Sequence, residues 1–494
     1  MGKFSEKLRN ALVIISLLLA GFLVILLARD VYLNGVQVYT LGASSPDLTI
    51  PSGAIIPIRI VLEIDGMSAF MGILTAIVTL AGSIFSLSFM KGKGGQTRFF
   101  TLLLLLVVGM YGIIFTGDLF NLFVFLEILS ISGAALAAFR TRRAESAEGG
   151  FKYIVISAIS ALVVLFAIGL FYAQYNVLNI GALAAIMRYT ALDKIALALL
   201  VLAFMMKLGA VPLHMWAPDT YSVAPAGITP IIYSASAVCM YALFRTCFSL
   251  YGVTLNTVTV GWIIIIFGLL SMFVGVMMAV LQTDIKRLMA YHAISQSGYM
   301  LLGVGVGLAV LANPVALNSY GINAMNGSIF HIINNAMYKG LLFLTAEAIF
   351  FRLGTRDLNR MGGLAHNMKW TTVFFIIGAL AISGIPPFSG FSSKLLIYES
   401  VYQFNPVLTI IAMIVSILTL ASFTKVFFAA FTGPVLPDYK EVKEVPTSLL
   451  IGMGILVVAI IFFSLFPNLI VENLVRPATE ALINQGAYIG GIFG

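Results

Sequence analysis

Residues 118–140 read DLFNLFVFLEILSISGAALAAFR, an apolar run about long enough to cross a bilayer as a helix. One carboxylate, Glu127, stands near its middle. A charge at bilayer depth is costly, so such residues are rare and mark ion pathways or paired sites. The run therefore implies a spanning helix and demands a partner for Glu127.

The rest of the composition agrees with a membrane chain. Hydrophobic residues make up 60% and charged residues 10% of the 494 positions. A soluble domain sits nearer half apolar and a quarter charged. The expected fold is an all-α polytopic membrane protein. The net charge of +8 does not point to nucleic acid, because the cations sit in short loops between apolar runs. Cys239 and Cys247 share one apolar segment and suggest neither a disulfide framework nor a metal site. No cleavable signal peptide is expected, since Lys3, Lys7 and Arg9 lead into a run of full spanning length without a small-residue cleavage site.

Hydropathy predicts thirteen transmembrane helices, at about 10–29, 67–90, 97–116, 118–140, 151–174, 193–224, 227–250, 258–282, 284–308, 327–352, 369–403, 406–431 and 447–466. With the N-terminus cytoplasmic, inside loops hold Lys91, Lys93, Arg140, Arg142, Arg143, Lys152, Lys286, Arg287, Arg352, Arg356, Arg360, Lys369, Lys440 and Lys443. Outside loops hold mainly Asp30, Asp47, Glu63, Asp65 and Asp118. This follows the positive-inside rule, placing the N-terminus in the cytoplasm and the C-terminus outside a cell membrane. The loop from Val36 to Asp65 reads as an ordered external segment with short strands, and the tail from Pro467 as an interfacial helix with a Gly-rich end. The extramembrane stretches are too short to bury a core, so no catalytic domain and no cofactor site are expected.

Two spans are interrupted. LALLVLAFMMKLGAVPLHMWAPDTYSVAPAG, residues 197–227, has Pro212 and Pro218 just after Lys207. FFIIGALAISGIPPFSGFSSKLLIYES, residues 374–400, has Gly384, Pro386, Pro387 and Gly390 ahead of Lys394. Interior Pro removes a backbone donor and crowds the preceding turn. Freed carbonyls at membrane depth need protein or water to satisfy them. The breaks lie five spans apart, an odd offset that inverts one relative to the other. Two inverted five-helix repeats, 97–250 and 258–431, are expected, between N-terminal residues 1–96 and C-terminal residues 432–494. Matched breaks in inverted repeats point to a transport path.

Each break brings a lysine, which suits a proton-relay group in a hydrated cavity. The competing reading is that Lys207 or Lys394 snorkels to an interface. In SIFHIINNAMYKGLLFLTAEAIFF, residues 328–351, His331, Asn335 and Lys339 share a helix face at i, i+4 and i+8, with Glu347 two turns on. DIKRLMAYHAISQSGYM, residues 284–300, adds His292, Ser295 and Gln296. Histidine titrates near neutral pH and suits a relay, or serves structure. Lys286 and Arg287 read as topology anchors. His214 with Asp219 lacks further ligands at metal spacing. The glycines of LGVGVGL, residues 302–308, read as close helix packing.

Five runs occur in order: DLFNLFVFLEILSISG, FMMKLGAVPLHMWAPDTYSVAP, LQTDIKRLMAYHAISQSGY, FHIINNAMYKGLLFL and SGIPPFSGFSSKLL. Together they resemble the antiporter-like subunits of respiratory complex I and its relatives. The D-type subunits of Mrp sodium/proton antiporters are the nearest in pattern, with the equivalent subunits of membrane-bound hydrogenases and sulfur-reducing complexes also similar. The resemblance runs from about Val36 to the thirteenth span. It implies two inverted five-helix repeats around a polar axis in the membrane plane. On that axis Glu127 matches the family glutamate and Lys207 its paired lysine. Lys339 and Lys394 match later lysines, and His331 a family histidine.

Three departures stand out. VYTLGASSPDLTIP, residues 38–51, is similar to the sequence after the family's second helix, so one N-terminal helix is expected to be missing. Ala237, before YALFR, stands where the family commonly has lysine, and Asn335 where it has a second histidine. The expected function is ion translocation, of protons or of protons against sodium, by a non-enzymatic membrane subunit of a multisubunit complex in the lipid bilayer. The alternative is a structural subunit with an incomplete path.

Overall fold

The structure is a computed structural model that describes residues 5–41, 60–140 and 143–493. Helix α1 spans Glu6–Asn34 and leads to strand β1, Gln37–Thr40. Strand β2, Val61–Ile64, pairs with β1 antiparallel, Val38 opposite Glu63. The first half continues with α2 (Gly66–Met90), α3 (Gln96–Phe115), α4 (Leu119–Ala137), α5 (Ala144–Tyr175), α6 (Ile180–Ile186), α7 (Ala191–Leu208), α8 (Trp216–Val223) and α9 (Ile228–Phe244). The second half holds α10 (Thr257–Leu281), α11 (Ile285–Ala309), α12 (Pro314–Ala316), α13 (Ile322–Leu353), α14 (Leu364–Asn367), α15 (Lys369–Ser383), α16 (Ser389–Phe404), α17 (Pro406–Ala430) and α18 (Thr447–Leu465). Short helices α19 (Pro467–Ile470), α20 (Arg476–Ile483) and α21 (Gln485–Phe493) end the chain. The strands fall where the loop from Val36 to Asp65 predicts them; Asp47, Arg142 and most of VYTLGASSPDLTIP lie outside the described residues.

Polar residues set the helix starts. Asp65, Asp118, Asn256 and Asp284 accept backbone N–H groups of α2, α4, α10 and α11, satisfying donors that a first turn leaves free. Thr190 and Asp193 form a capping box at α7. Among the described residues, nine helices are long and apolar enough to cross a membrane. Their outer faces expose Ile15, Phe22, Leu162, Phe166, Ile417 and Val458, as lipid-facing walls require.

Inside that wall the less apolar helices are enclosed. Residues 224–252, 288–311 and 324–349 are all buried, which puts α9, α11 and α13 at the centre. Small residues let them approach. A Cβ on Gly303 would lie 2.4 Å from the Ala324 carbonyl, and one on Gly261 2.6 Å from the Ala309 nitrogen. The glycines of residues 302–308 thus serve helix packing.

The two predicted interruptions are real breaks. Helix α7 ends at Gly209 in the left-handed region, φ 75°, and α15 at Gly384, φ 73°. In each, the two N–H groups after the helix cover two of its last carbonyls. Gly209 and Ala210 donate to Met206 and Met205 at 3.2 and 3.0 Å; Gly384 and Ile385 donate to Ala381 and Leu380, both at 3.2 Å. The two breaks thus end their helices in the same way.

Candidate ion-translocation axis

Helix α4 carries Glu127 at a half-buried position and Ser130 one turn further on. Across from it, Lys207 sits in the last turn of α7, buried, and its ammonium donates to the Ser130 hydroxyl. Ser130 in turn donates to the Leu126 carbonyl. Among the described residues Glu127 and Lys207 make no ion pair or hydrogen bond with each other. The expected Glu127–Lys207 ion pair is not formed in this structure, where Ser130 holds the lysine.

On α9 the Cys239 thiol lies within the field of Lys207, and both cysteines are free and buried. Ala237, a turn beyond Tyr233, contributes no polar group. The Tyr221 hydroxyl of α8 and the Ser236 hydroxyl of α9 are 2.7 Å apart. From α13, the Asn335 amide donates to the Tyr233 hydroxyl of α9. His331, Asn335 and Lys339 share α13, but each engages a different neighbour.

His331 joins three elements. Its Nε2 is 3.2 Å from Gln296 Oε1 of α11 and 3.1 Å from the Tyr338 hydroxyl, and its Nδ1 is 3.0 Å from Ser393 Oγ of α16. Lys339 donates to the Met289 carbonyl of α11 at 2.8 Å. His292 Nε2 contacts Ser422 Oγ of α17 at 2.8 Å, while its Nδ1 has no partner among the described residues. Lys394 donates to the Ile382 carbonyl at the end of α15, 2.8 Å, and to Ser416 Oγ, 3.0 Å. It is buried across the second break, not snorkelling outward. Among the described residues Lys207, Lys339 and Lys394 form no ion pair. Their ammonium groups rest on hydroxyls and carbonyls, with aromatic rings near Lys339 and Lys394.

Two buried ion pairs were not singled out by sequence reasoning. Lys286, expected at an interface, is fully enclosed; it binds the Glu347 carboxylate and the Ala224 carbonyl at the end of α8. Its neighbour Arg287 does face solvent, 2.8 Å from Asp219. The other pair is Arg245 with Asp65, whose guanidinium reaches Asp65 Oδ2 at 2.6 Å, Tyr241 Oη at 2.9 Å and Ser249 Oγ at 3.0 Å. The signal was there: a lone cation inside an apolar run needs an acid from elsewhere. Glu63 lies beside this pair, buried, with neither carboxylate oxygen hydrogen-bonded among the described residues. Burial pushes its carboxyl well above the usual range, against the pull of Arg245. Burial also works against ionisation of Asp65, but Arg245 more than offsets it and holds that carboxyl low. Among the described residues no cluster of His, Cys, Asp or Glu fits a metal ion.

Comparison with known proteins was informative. Residues 116–419 match the family model described as NADH:quinone oxidoreductase/Mrp antiporter, TM, and residues 50–100 match complex I chain 5 N-terminus. The chain is 33% identical to the D-type subunit of the Na(+)/H(+) antiporter of Alkalihalophilus pseudofirmus, over 87% of this chain and 82% of that protein. Its fold superposes on a chain of the Mrp complex from Dietzia sp. with a TM-score of 0.88 at 24% identity, covering 99% and 95% of the two chains. A chain of an archaeal membrane-bound sulfane sulfur reductase gives 0.81 at 28% identity, covering 96% and 74%.

Proposed function

We propose, for a chain that belongs to the NADH:quinone oxidoreductase/Mrp antiporter family, that it translocates protons along the buried axis as a membrane subunit of a larger complex, with exchange against sodium as the coupled form. One observation carries this reading. Lys207, Lys339 and Lys394 are buried beside the two breaks and on the central helix and form no ion pair among the described residues. A buried ammonium lacking a partner is expensive, so its proton occupancy responds to any nearby charge that moves. Glu127 is the charge placed to move: one turn from the serine that holds Lys207. Closing the Glu127–Lys207 pair favours the ammonium, and opening it favours release toward His331, Lys339, His292 and Lys394.

The architecture that supports this comprises thirteen spans, when α7–α8, α11, α13 and α15–α16 are added to the nine apolar helices. Residues 97–250 and 258–431 form the inverted repeats, flanked by 1–96 and 432–494. The orientation is N-terminus inside and C-terminus outside. In support, cation-bearing ends gather on one face: Arg356 binds Asp284 at 3.2 Å and Glu145 at 3.5 Å, and Arg352 the Glu444 carbonyl. Partners are other membrane subunits of an Mrp-type or respiratory complex. Redox chemistry, where coupled, resides in those partners.

The test is Glu127→Ala and Lys207→Ala in the intact complex, with gradient-coupled proton movement measured in liposomes. Each should slow transport by about a hundredfold, the scale of losing a proton-transfer group. Unchanged transport in both would sink the reading. A structural subunit with a broken path is the second reading, favoured by Asn335 and Ala237; it predicts full activity of the complex with either variant.

A further inference from the structure

Between the two halves of the axis stands α9, and its only side chain hydrogen-bonded to α13 in the described structure is Tyr233. On one side are Tyr221 and Ser236, their hydroxyls 2.7 Å apart, with the Tyr221 ring edge-on to Tyr233 at 6.0 Å. On the other are Asn335 of α13, which donates to the Tyr233 hydroxyl, and Ser297 of α11, whose hydroxyl donates to the Ala293 carbonyl at 3.0 Å and so keeps its oxygen free to accept. Ser297 neighbours Gln296, the residue that meets both His331 and Tyr338. Lys339 is one turn from Asn335 but turns toward the Met289 carbonyl of α11 and the Phe423 ring of α17.

We propose that the Tyr233 hydroxyl is the link that carries a proton across the middle of the molecule, between the Lys207 half and the His331–Lys394 half. This rests on the ion-translocation reading above. The orientation follows from the donors. An amide N–H gives one hydrogen bond into a phenol oxygen and accepts none there. With that lone pair engaged by Asn335, the phenolic O–H is left to point elsewhere, and Ser297 is the acceptor at hand. A proton arriving on the remaining lone pair from the Ser236 side forms one O–H bond as the original O–H breaks toward Ser297. The phenol is neutral before and after, and only the proton moves on. Buried polar atoms with no hydrogen-bond partner among the described residues bracket the link: Ser234 Oγ on α9, Asn335 Oδ1 on α13 and Gln296 Nε2 on α11. Such atoms hold ordered water in native proteins, which extends the hydroxyl chain both ways.

The experiment uses the whole complex purified through this chain and reconstituted in liposomes, with proton movement read by a pH-sensitive dye. Tyr233→Phe removes one oxygen and should slow transport about tenfold or more at unchanged assembly. Tyr233→His keeps a proton-carrying group and should restore most of the rate, with a pH profile the native complex lacks. Wild-type rates in Tyr233→Phe while Glu127→Ala stalls would overturn the link and leave the transport reading standing. Wild-type rates in both would defeat the two together. Equal slowing by Phe and His in an assembled complex would show a packing role and overturn it. Should Tyr233→Phe fail to assemble, Ser297→Ala decides: slowing supports the link and the native rate overturns it.

Discussion

Glu347 shows what a single buried charge does in this molecule. It sits on the fully enclosed stretch of α13, and Lys286 of α11 supplies its counter-charge while also binding the Ala224 carbonyl. Removing one member of such a pair strands the other in a low-dielectric site, which typically costs about 3–5 kcal/mol. Glu347→Ala should therefore destabilise the chain by about that amount, read as a fall in the thermal midpoint of the purified complex. The paired change Lys286→Met with Glu347→Leu should recover most of the loss, because apolar replacement of both partners is often neutral. A double variant no better than the single one would mean that the pair contributes through more than charge compensation. The same contrast separates this pair from Lys207, Lys339 and Lys394, which lack a counter-ion among the described residues.

The broken helices are where backbone chemistry and side-chain placement meet. Gly209 and Gly384 take the left-handed conformation that ends α7 and α15, one at which a side chain is disfavoured. Gly390 is held by space instead: a Cβ there would lie 1.8 Å from the Ala381 carbonyl oxygen. The oxygen belongs to the main chain and Cβ has no rotamer, so no side-chain adjustment relieves it. Gly390→Ala should force α16 away from α15, move Lys394 off the Ile382 carbonyl and prevent assembly, seen as loss of the monodisperse complex on size exclusion. Gly454→Ala on α18 is the control, since its Cβ would meet open space and alanine favours helix over glycine by about 1 kcal/mol. A well-assembled Gly390→Ala complex would show that the close approach is not required. The existence of both breaks was legible from Pro and Gly. Their satisfaction of freed carbonyls was not, because it depends on which N–H groups the turn presents.

At the scale of the whole molecule, one cluster ties the C-terminal helix α21 to the first half. Arg245, following α9, is held by Asp65 before α2 and lies between the rings of Tyr241 and Tyr488, 5.1 and 4.8 Å from their centres. Helix α21 is fastened further by Gln485, which donates to the Ser249 and Leu250 carbonyls at 3.0 and 3.3 Å. Glu63 and Asp65 make this closure sensitive to pH in opposite senses. The lowered Asp65 gives stability that is present above the unfolded value of about 4 and is lost as pH falls through the folded value. The raised Glu63 binds its proton more tightly when folded. Its contribution is full below about pH 4 and declines as pH rises through the window up to its folded value. Glu63→Gln removes that decline. The variant should melt higher than the native chain at neutral pH, by about 1–3 kcal/mol of relieved desolvation, and show a flatter stability profile between mild acid and neutral. A lower midpoint at neutral pH would contradict the assignment.

The sequence by itself determined the membrane class and the two interruptions, and it put forward the candidate residues of the axis. These follow from local rules: apolar length for a span, Pro and Gly for a break, and the rarity of a charge at depth. Helical spacing likewise placed His331, Asn335 and Lys339 on one element. Only the tertiary structure decided which groups touch. It turned Lys207 to Ser130 while Glu127 stands apart, enclosed Lys286 against Glu347, and set Tyr233 against Asn335. It also paired Arg245 with Asp65 across the chain. Such contacts join residues far apart in sequence through the crossing of packed helices, and no local period encodes a crossing. The lysine expected to partner Glu127 is held instead by Ser130, a choice that only the three-dimensional packing of the helices could make.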